Sequence, residues 1–239
     1  MSFIEFNGDR TDNHFLFLET GLTFGGVTRN RNFQKIDGQD GEIGIGDGTL
    51  NNISRSYPFR LRLPEGIKIE DEVTAISNWL SKDANWHDFI FGGDPNYVYR
   101  AMYVGGYDIQ RIVSWYGKSV LNFEFKPYKF LKSGLTEQTL STSIANPTQR
   151  IARPKITIKG TGNMTIQIGK EKLSLKNVDR GVIVDSLYNT VTNLTGTKAA
   201  WDKVTSYPLP VIHPGKQNIL VTGTIDKVTV IPRWEMLVG

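Results

Sequence analysis

The stretch Tyr57-Pro58-Phe59-Arg60-Leu61-Arg62-Leu63 alternates large apolar residues with basic ones and is followed by Pro64. Successive side chains of a β-strand point to opposite faces of a sheet, so this alternation predicts a strand with one buried and one solvated face. The two arginines then belong to the solvated face and do not by themselves indicate a nucleic-acid surface. An antiparallel sheet with one face in water is the expected setting.

One helix is predicted directly after this strand, from about Ile69 to Ser81. The apolar residues at helical spacing are Ile69, Val73, Ile76 and Leu80. The acidic run Glu70-Asp71-Glu72 stands in the first turn, where the helix dipole favours negative charge. Trp79 neighbours Leu80 and lies three residues after Ile76, so we expect it to widen the buried face of the helix.

Further strand-like runs lie on both sides of this helix, separated by glycine-rich turns. They are Phe3–Phe6, Phe15–Leu18, Trp86–Phe91, Tyr97–Val104, Tyr107–Trp115 and Val120–Tyr128. Together with the alternating strand they predict an amino-terminal β domain, residues 1–132, that carries one α-helix.

The second half of the chain has a different pattern. Residues 133–148 are rich in serine, threonine and small residues, which predicts a linker between two domains. Beyond it, in residues 149–239, short strand-like runs follow one another without a long helix. These are Lys155–Lys159, Met164–Ile168, Lys172–Leu175, Gly181–Asp185, Asn218–Val221 and Lys227–Ile231. Short strands joined by turns predict a β-sandwich.

The composition agrees with a mostly β protein and excludes several kinds of chemistry. Twenty-four glycines and ten prolines among 239 residues suit many short elements joined by turns. The absence of cysteine excludes disulfides, thiol catalysis and cysteine-bound metals. The net charge of +4 is spread along the chain, so no sequence-specific nucleic-acid binding is expected. The start Met1-Ser2-Phe3-Ile4-Glu5 does not resemble a secretory signal, and we expect no insertion into a membrane.

Candidate catalytic residues are few. His14, His87 and His213 lack the i, i+4 spacing of a helical metal site, and there is no G-x-S-x-G nucleophile motif. We therefore expect no enzyme, no bound metal and no cofactor. A polysaccharide hydrolase stays open as an alternative, because its two carboxylates can come from distant strands.

The most unusual segment is residues 21–54, which is rich in glycine, asparagine and aspartate and poor in large apolar residues. The run Gly44-Ile45-Gly46-Asp47-Gly48 has the wrong spacing for a dinucleotide fingerprint. A calcium loop counted from Asp37 or Asp40 lacks the required glycine at its sixth position. The glycines are better explained as turns of an extended hairpin that another subunit could clasp.

Two tryptophans of the second half, Trp201 and Trp234, are candidates for stacking on sugar rings. The alternative function is therefore a carbohydrate-binding β-sandwich module that mediates adhesion to a host surface. Packing of both tryptophans in the core is the simpler interpretation.

The order and spacing of short motifs resemble the distal tail protein (Dit) family of siphophages that infect Gram-positive bacteria. In the first half the motifs are Phe6-Asn7-Gly8, Ile36-Asp37-Gly38-Gln39-Asp40-Gly41, Trp115-Tyr116-Gly117-Lys118 and Phe123–Tyr128. In the second half they are Pro154–Gly160, Leu173–Val178, Val182–Ser186, His213-Pro214-Gly215 and Ile231-Pro232-Arg233-Trp234.

This resemblance implies a specific architecture. The amino-terminal domain would carry a protruding belt hairpin at residues 21–54 that closes six copies into a hexameric ring, and the carboxy-terminal sandwich would be galectin-like. The belt and ring-interface residues would be Ile36, Gly38, Asp40, Gly41, Ile43 and Ile45. Asp37 and Gln39 stand where the family leads us to expect proline and arginine, so the turn of the belt is expected to be built differently.

The resemblance also implies a location and partners. The protein would be made in the cytoplasm of the host bacterium and would belong to the virion, at the distal end of the phage tail. Its partners would be further copies of itself, the major tail-tube protein, the tail-associated fibre or lysin protein, and a receptor-binding protein of the baseplate.

Overall fold

A computed structural model of the chain describes residues 3–23 and 25–239. Met1, Ser2 and Phe24 lie outside the described residues, and Phe24 falls within the predicted belt. The chain divides into two compact units. The first extends to Lys129 and includes Leu237–Gly239, and the second comprises Phe130–Met236. Strands dominate both, which confirms the prediction of a mostly β fold.

The first unit contains ten strands and the α-helix of the described chain. The strands are β1 (Ile4–Phe6), β2 (Asp9–Arg10), β3 (Leu16–Leu18), β4 (Asn32–Lys35), β5 (Glu42–Ile45), β6 (Ile53–Arg62), β7 (His87–Phe91), β8 (Tyr97–Tyr103), β9 (Gln110–Val113) and β10 (Tyr116–Leu131). Helix α1 spans Ile69–Leu80, within one residue of the range predicted from its apolar spacing.

The main sheet of the first unit has the order β2-β1-β7-β8-β10-β6-β3, and β9 pairs with the start of β10. Strands β6 and β10 run antiparallel from the pair Arg62 and Tyr116 to the pair Ile53 and Phe125. Buried residues alternate with more exposed ones along the whole of β6, as the sequence predicts for a half-buried strand.

Aromatic side chains fill the core of this unit. Phe59, Phe89 and Phe123 are fully buried, and Phe89 and Phe123 meet edge to face with ring centroids 5.2 Å apart. Such edge contacts are favourable because the positive rim of one ring faces the negative face of the other. Trp79 of α1 is buried as expected, and its Nε1–H donates to the carbonyl oxygen of Phe6 at 3.0 Å. This bond ties the helix to β1.

One predicted strand of this unit is shorter in the structure than in the sequence pattern. The run Tyr107–Trp115 forms a strand only at Gln110–Val113. The Tyr107 hydroxyl instead donates to the carbonyl oxygen of Val73 in α1 at 2.6 Å. Tyr107 therefore contacts the helix and lies outside the strand. An aromatic residue that is partly buried against a helix adds to an apolar pattern in the same way as a strand residue does.

The second unit contains a seven-stranded sheet with its own core. Its strands are β11 (Gln138–Thr139), β12 (Ser143–Asn146), β13 (Lys155–Ile168), β14 (Glu171–Val178), β15 (Gly181–Asp185), β16 (Thr190–Asn193) and β17 (Gly215–Ile231). The last strand of the chain, β18 (Glu235–Leu237), pairs instead with β10. The main order is β11-β17-β13-β15-β16, with β12 on β17 and β14 on β13. The core is aliphatic, with Ile156, Ile158 and Ile166 fully buried.

The predicted linker, residues 133–148, belongs to this second unit, and the linker interpretation is wrong. Strands β11 and β12 both pair antiparallel with β17. The side-chain amide of Asn146 is buried and donates to the carbonyl oxygen of Ile212 at 3.0 Å. Backbone hydrogen bonds at a sheet edge need few apolar side chains, so a polar segment can form part of the sheet.

Candidate functional site

The predicted belt contains a two-stranded hairpin that stands apart from the main sheet. Strands β4 and β5 pair antiparallel from Asn32 and Ile45 to Lys35 and Glu42, and among the described residues neither pairs with a third strand. Every residue of both strands is exposed. A pair of strands with no face covered is marginal in water, so this hairpin lacks the packing that normally stabilises a sheet.

Large apolar side chains of the hairpin face solvent. The exposed fractions are 66% for Phe33, 42% for Ile36, 44% for Ile43 and 55% for Ile45. Single exposed apolar residues are ordinary, but four on one short ribbon form an apolar surface. Such a surface is typical of a segment that is buried in a protein–protein interface.

Both faces of the ribbon carry part of this apolar surface. Ile43 and Ile45 lie opposite Gln34 and Asn32 on one face. Phe33 lies opposite Gly44 on the other, and a Cβ at Gly44 would be 3.4 Å from the Phe33 ring. The absence of a side chain at Gly44 therefore leaves room for the ring to lie across the neighbouring strand.

The predicted ring-interface residues all lie on this hairpin. Ile36, Gly38, Asp40 and Gly41 form the connection between the strands, and Ile43 and Ile45 belong to β5. The Gln39 amide donates to the carbonyl oxygen of Ile36 at 3.2 Å, and Gly38 has φ +81°. Asp37 thus occupies the second position of a four-residue turn whose third residue needs a positive φ, which is a position where proline is common.

Phe33 was not among the predicted interface residues, although it is the most exposed of the four apolar side chains. A signal for it exists in the sequence, because it is an isolated aromatic residue in a polar segment. Its position opposite a glycine depends on the pairing register of β4 and β5, which the sequence pattern does not give.

The base of the hairpin is held by polar contacts. The amides of Asn30 and Asn51 donate to the carbonyl oxygens of Thr49 and Thr28, each at 3.0 Å. The hydroxyl and the amide of Thr49 both donate to the Asp47 carboxylate, at 2.6 and 2.8 Å, and these bonds lower the pKa of Asp47. The pKa falls because hydrogen bonds to a carboxylate favour its ionised form.

The histidines lie in separate environments, each beside a carboxylate. His14 stacks on Trp79 at 4.7 Å and places Nδ1 3.0 Å from Glu72 and Nε2 3.3 Å from Asp9. The other two pairs are His87 with Asp83 and His213 with Glu171, each at 2.8 Å. Within residues 3–23 and 25–239, no group of three or more potential ligands is placed to hold a metal ion. These contacts join neighbouring elements of the fold.

The two tryptophans considered for sugar stacking differ in exposure. Trp234 is only 5% exposed and belongs to the core of the second unit, so its ring cannot stack on a sugar. Trp201 is 39% exposed on a short 3₁₀ turn, Trp201–Lys203. In the described part of the chain, no helix combines the length and apolar character required to cross a membrane.

Comparison with known proteins identifies the fold. No protein-family model matches the chain, and no curated protein sequence matches it. A similar solved structure is the Dit protein (gp 19.1) of phage SPP1, described as a paradigm of the hub of the adsorption apparatus in phages that infect Gram-positive bacteria. The likeness has a TM-score of 0.72 at 14% sequence identity and covers 96% of this chain and 97% of that chain. This chain therefore has the fold of the SPP1 Dit protein over nearly its whole length.

Proposed function

We propose that this chain is a distal tail protein, a structural hub subunit at the tip of a phage tail. The observation that carries the proposal is the shared fold, which extends over both units of the chain and matches a phage hub protein end to end. Fold alone does not determine function, so the site must agree with it. The exposed apolar hairpin supports it, because burial in a protein–protein interface would remove these apolar side chains from water.

In this proposal six copies form a ring that joins the tail tube to the fibre or lysin protein and to receptor-binding components. The hairpin, with Ile36, Gly38, Asp40, Gly41, Ile43 and Ile45, is the belt between neighbouring copies. The second unit is the galectin-like domain. The chain is made in the cytoplasm of the host and acts in the virion, with a structural rather than an enzymatic role.

The carbohydrate-binding alternative has weaker support. Burial of Trp234 leaves only Trp201 of the two tryptophans on which that alternative was based. The hydrolase alternative rests only on the number of carboxylates in the sequence. Assembly therefore explains more of the structure than either alternative.

The oligomeric state tests the proposal. Analytical ultracentrifugation of the purified chain at micromolar concentration, alone and mixed with its tail-tube protein, should reveal a species of six times the monomer mass. Negative-stain images of that species should show closed rings with six repeats. A chain that sediments as a monomer under both conditions would contradict the proposal.

A further inference from the structure

A second exposed surface of the first unit lies at the far end of β6. Arg60 and Arg62 project from the solvated face of this strand, and Trp115 and Tyr116 lie beside them. These four residues line a shallow concavity of about 330 Å³, and we call them the basic–aromatic patch. Tyr116 pairs directly with Arg62, so the register of β6 and β10 places the aromatic and basic side chains together.

The patch has the composition of a binding site for an acidic, apolar segment. Trp115 is 52% exposed, and the nearby Ile112 and Val113 of β9 are 51% and 43% exposed. Lys118 lies opposite Arg60 in the sheet. Among the described residues, no carboxylate oxygen lies within 4.0 Å of the Arg60 or Arg62 guanidinium, whereas Lys118 and Arg111 are paired with Glu19 and Glu70. Two arginines beside an exposed tryptophan are typical of the centre of an interface.

The hairpin has the complementary composition. Around its turn, Asp37, Asp40 and Glu42 outnumber the single cation Lys35, and all four are exposed. The apolar side chains of Phe33, Ile36 and Ile43 lie among these charges. An acidic apolar ribbon and a basic aromatic concavity match in both charge and polarity.

The two surfaces lie at opposite ends of one strand. The hairpin precedes Ile53, the first residue of β6, whereas Arg60 and Arg62 lie at its other end. Arg60 lies seven positions along the strand from Ile53, a distance of roughly 23 Å. Exposure of the hairpin and of the patch shows that they do not cover each other within one chain. Their contact in an assembly would be head to tail, and repetition of a head-to-tail contact produces rings or filaments.

We propose that the hairpin tip of one copy docks on the basic–aromatic patch of a second copy of this chain. This inference rests on the proposed assembly of copies and adds the acceptor surface, with Trp115 as its apolar anchor and Arg60 and Arg62 as the partners of Asp37 and Asp40. Each copy then binds one neighbour through its hairpin and a second neighbour through its basic–aromatic patch.

A charge-reversal cycle tests the pairing. Arg60→Glu with Arg62→Glu, and separately Asp37→Lys with Asp40→Lys, should each weaken self-association by at least about tenfold in low salt, because like charges then face each other. The variant with all four changes should recover most of the wild-type association. Lys172→Glu with Lys176→Glu, on exposed positions of β14 in the second unit, introduces the same charge change away from the patch and serves as the matched control. Association is measured by sedimentation velocity, with circular dichroism to confirm folding.

Photocrosslinking locates the contact directly. Benzoylphenylalanine replaces Phe33, and labelled and unlabelled copies are mixed to distinguish crosslinks between chains. The expected product joins the hairpin to the tryptic peptide Ile112–Lys118, which contains Trp115 and Tyr116. Rings that form normally in Arg60→Glu with Arg62→Glu, or that crosslink only elsewhere, would overturn the acceptor assignment and leave the proposed function intact. Absence of both association and crosslinks, alone and with the tail-tube protein, would contradict both.

Discussion

Glu235 is the most deeply buried charged side chain of the second unit, with no exposed area. Its Oε2 lies 3.0 Å from Nη1 of Arg153, and its Oε1 lies 3.5 Å from Nε of Arg150. Removal from water disfavours the ionised carboxylate more than the two arginines favour it, so burial raises the pKa of Glu235. A pair of this kind fixes geometry more than it adds free energy of folding.

The raised pKa gives Glu235 a defined pH dependence. The folded state binds a proton to this group at a higher pH than the unfolded state does, so its contribution to stability is largest below the unfolded pKa and is lost as the pH rises through the folded pKa. Relative to Glu235→Gln, which does not titrate, the wild-type free energy of unfolding should therefore rise as the pH falls from 7 towards 4.5. Urea denaturation of both proteins across this range measures the difference. A difference that is constant with pH, or that changes with the opposite sign, would contradict the raised pKa.

At the scale of elements, β13 and β17 are long strands. The sequence pattern predicts two short strands in place of each. The pairing between them shifts register near Gly160 and again between Thr161 and Met164. Gly223 lies opposite Met164 at φ +106°, and a Cβ there would overlap the carbonyl oxygen of Asn163. Glycine at this position lets the two backbones approach while the strands continue through the irregular pairing.

Gly223→Ala should therefore destabilise the second unit by about 3 kcal/mol or more, since the added methyl group meets backbone that cannot move aside. Gly196→Ala is the matched control, because Gly196 also has a positive φ of +73° but has open space around it. That change should cost only the backbone conformational penalty of about 1 kcal/mol. Thermal or chemical denaturation compares the two variants. An equal decrease in the free energy of unfolding for both variants would show that the close backbone approach at Gly223 does not contribute to stability.

At the scale of the whole molecule, the chain returns to its first unit at its end. Val238 is 1% exposed and belongs to the core of that unit, together with Phe59 and Phe123. Its amide donates to the carbonyl oxygen of Pro127 at 3.0 Å. Leu237, one residue earlier, is 37% exposed. Two adjacent residues thus differ completely in how much of their surface is removed from water.

This contrast in exposure predicts how strongly an acidic substitution at each of the two positions destabilises the first unit. Val238→Asp should destabilise the first unit by more than about 3 kcal/mol, because it buries a carboxylate without a partner. Leu237→Asp, on an exposed side chain, should change stability by less than about 1 kcal/mol. Hydrogen exchange read by peptide mass spectrometry should show faster exchange in β6 and β10 for the first variant only. Faster exchange confined to β13 and β17 would contradict the placement of Val238.

The sequence by itself determined the features that depend on neighbouring residues. The apolar spacing gave the helix at Ile69–Leu80, and the alternation gave the half-buried part of β6. The glycine-rich composition indicated an extended hairpin at residues 21–54, and strands at Asn32–Lys35 and Glu42–Ile45 confirm that a hairpin is present. Periodicity and turn residues act over a few positions, so they can be identified without knowledge of the rest of the fold.

Only the tertiary structure decided which distant segments meet. Within the polar residues 133–148, two short strands pair with β17. Glu235 is a buried partner of Arg150 and Arg153, and Val238 lies in the core of the first unit. The concavity between Arg62 and Trp115 likewise depends on the register of β6 and β10. These features arise from backbone pairing and burial between residues far apart in the chain. Such contacts leave no periodic signal, because their energy depends on the partner that the fold supplies.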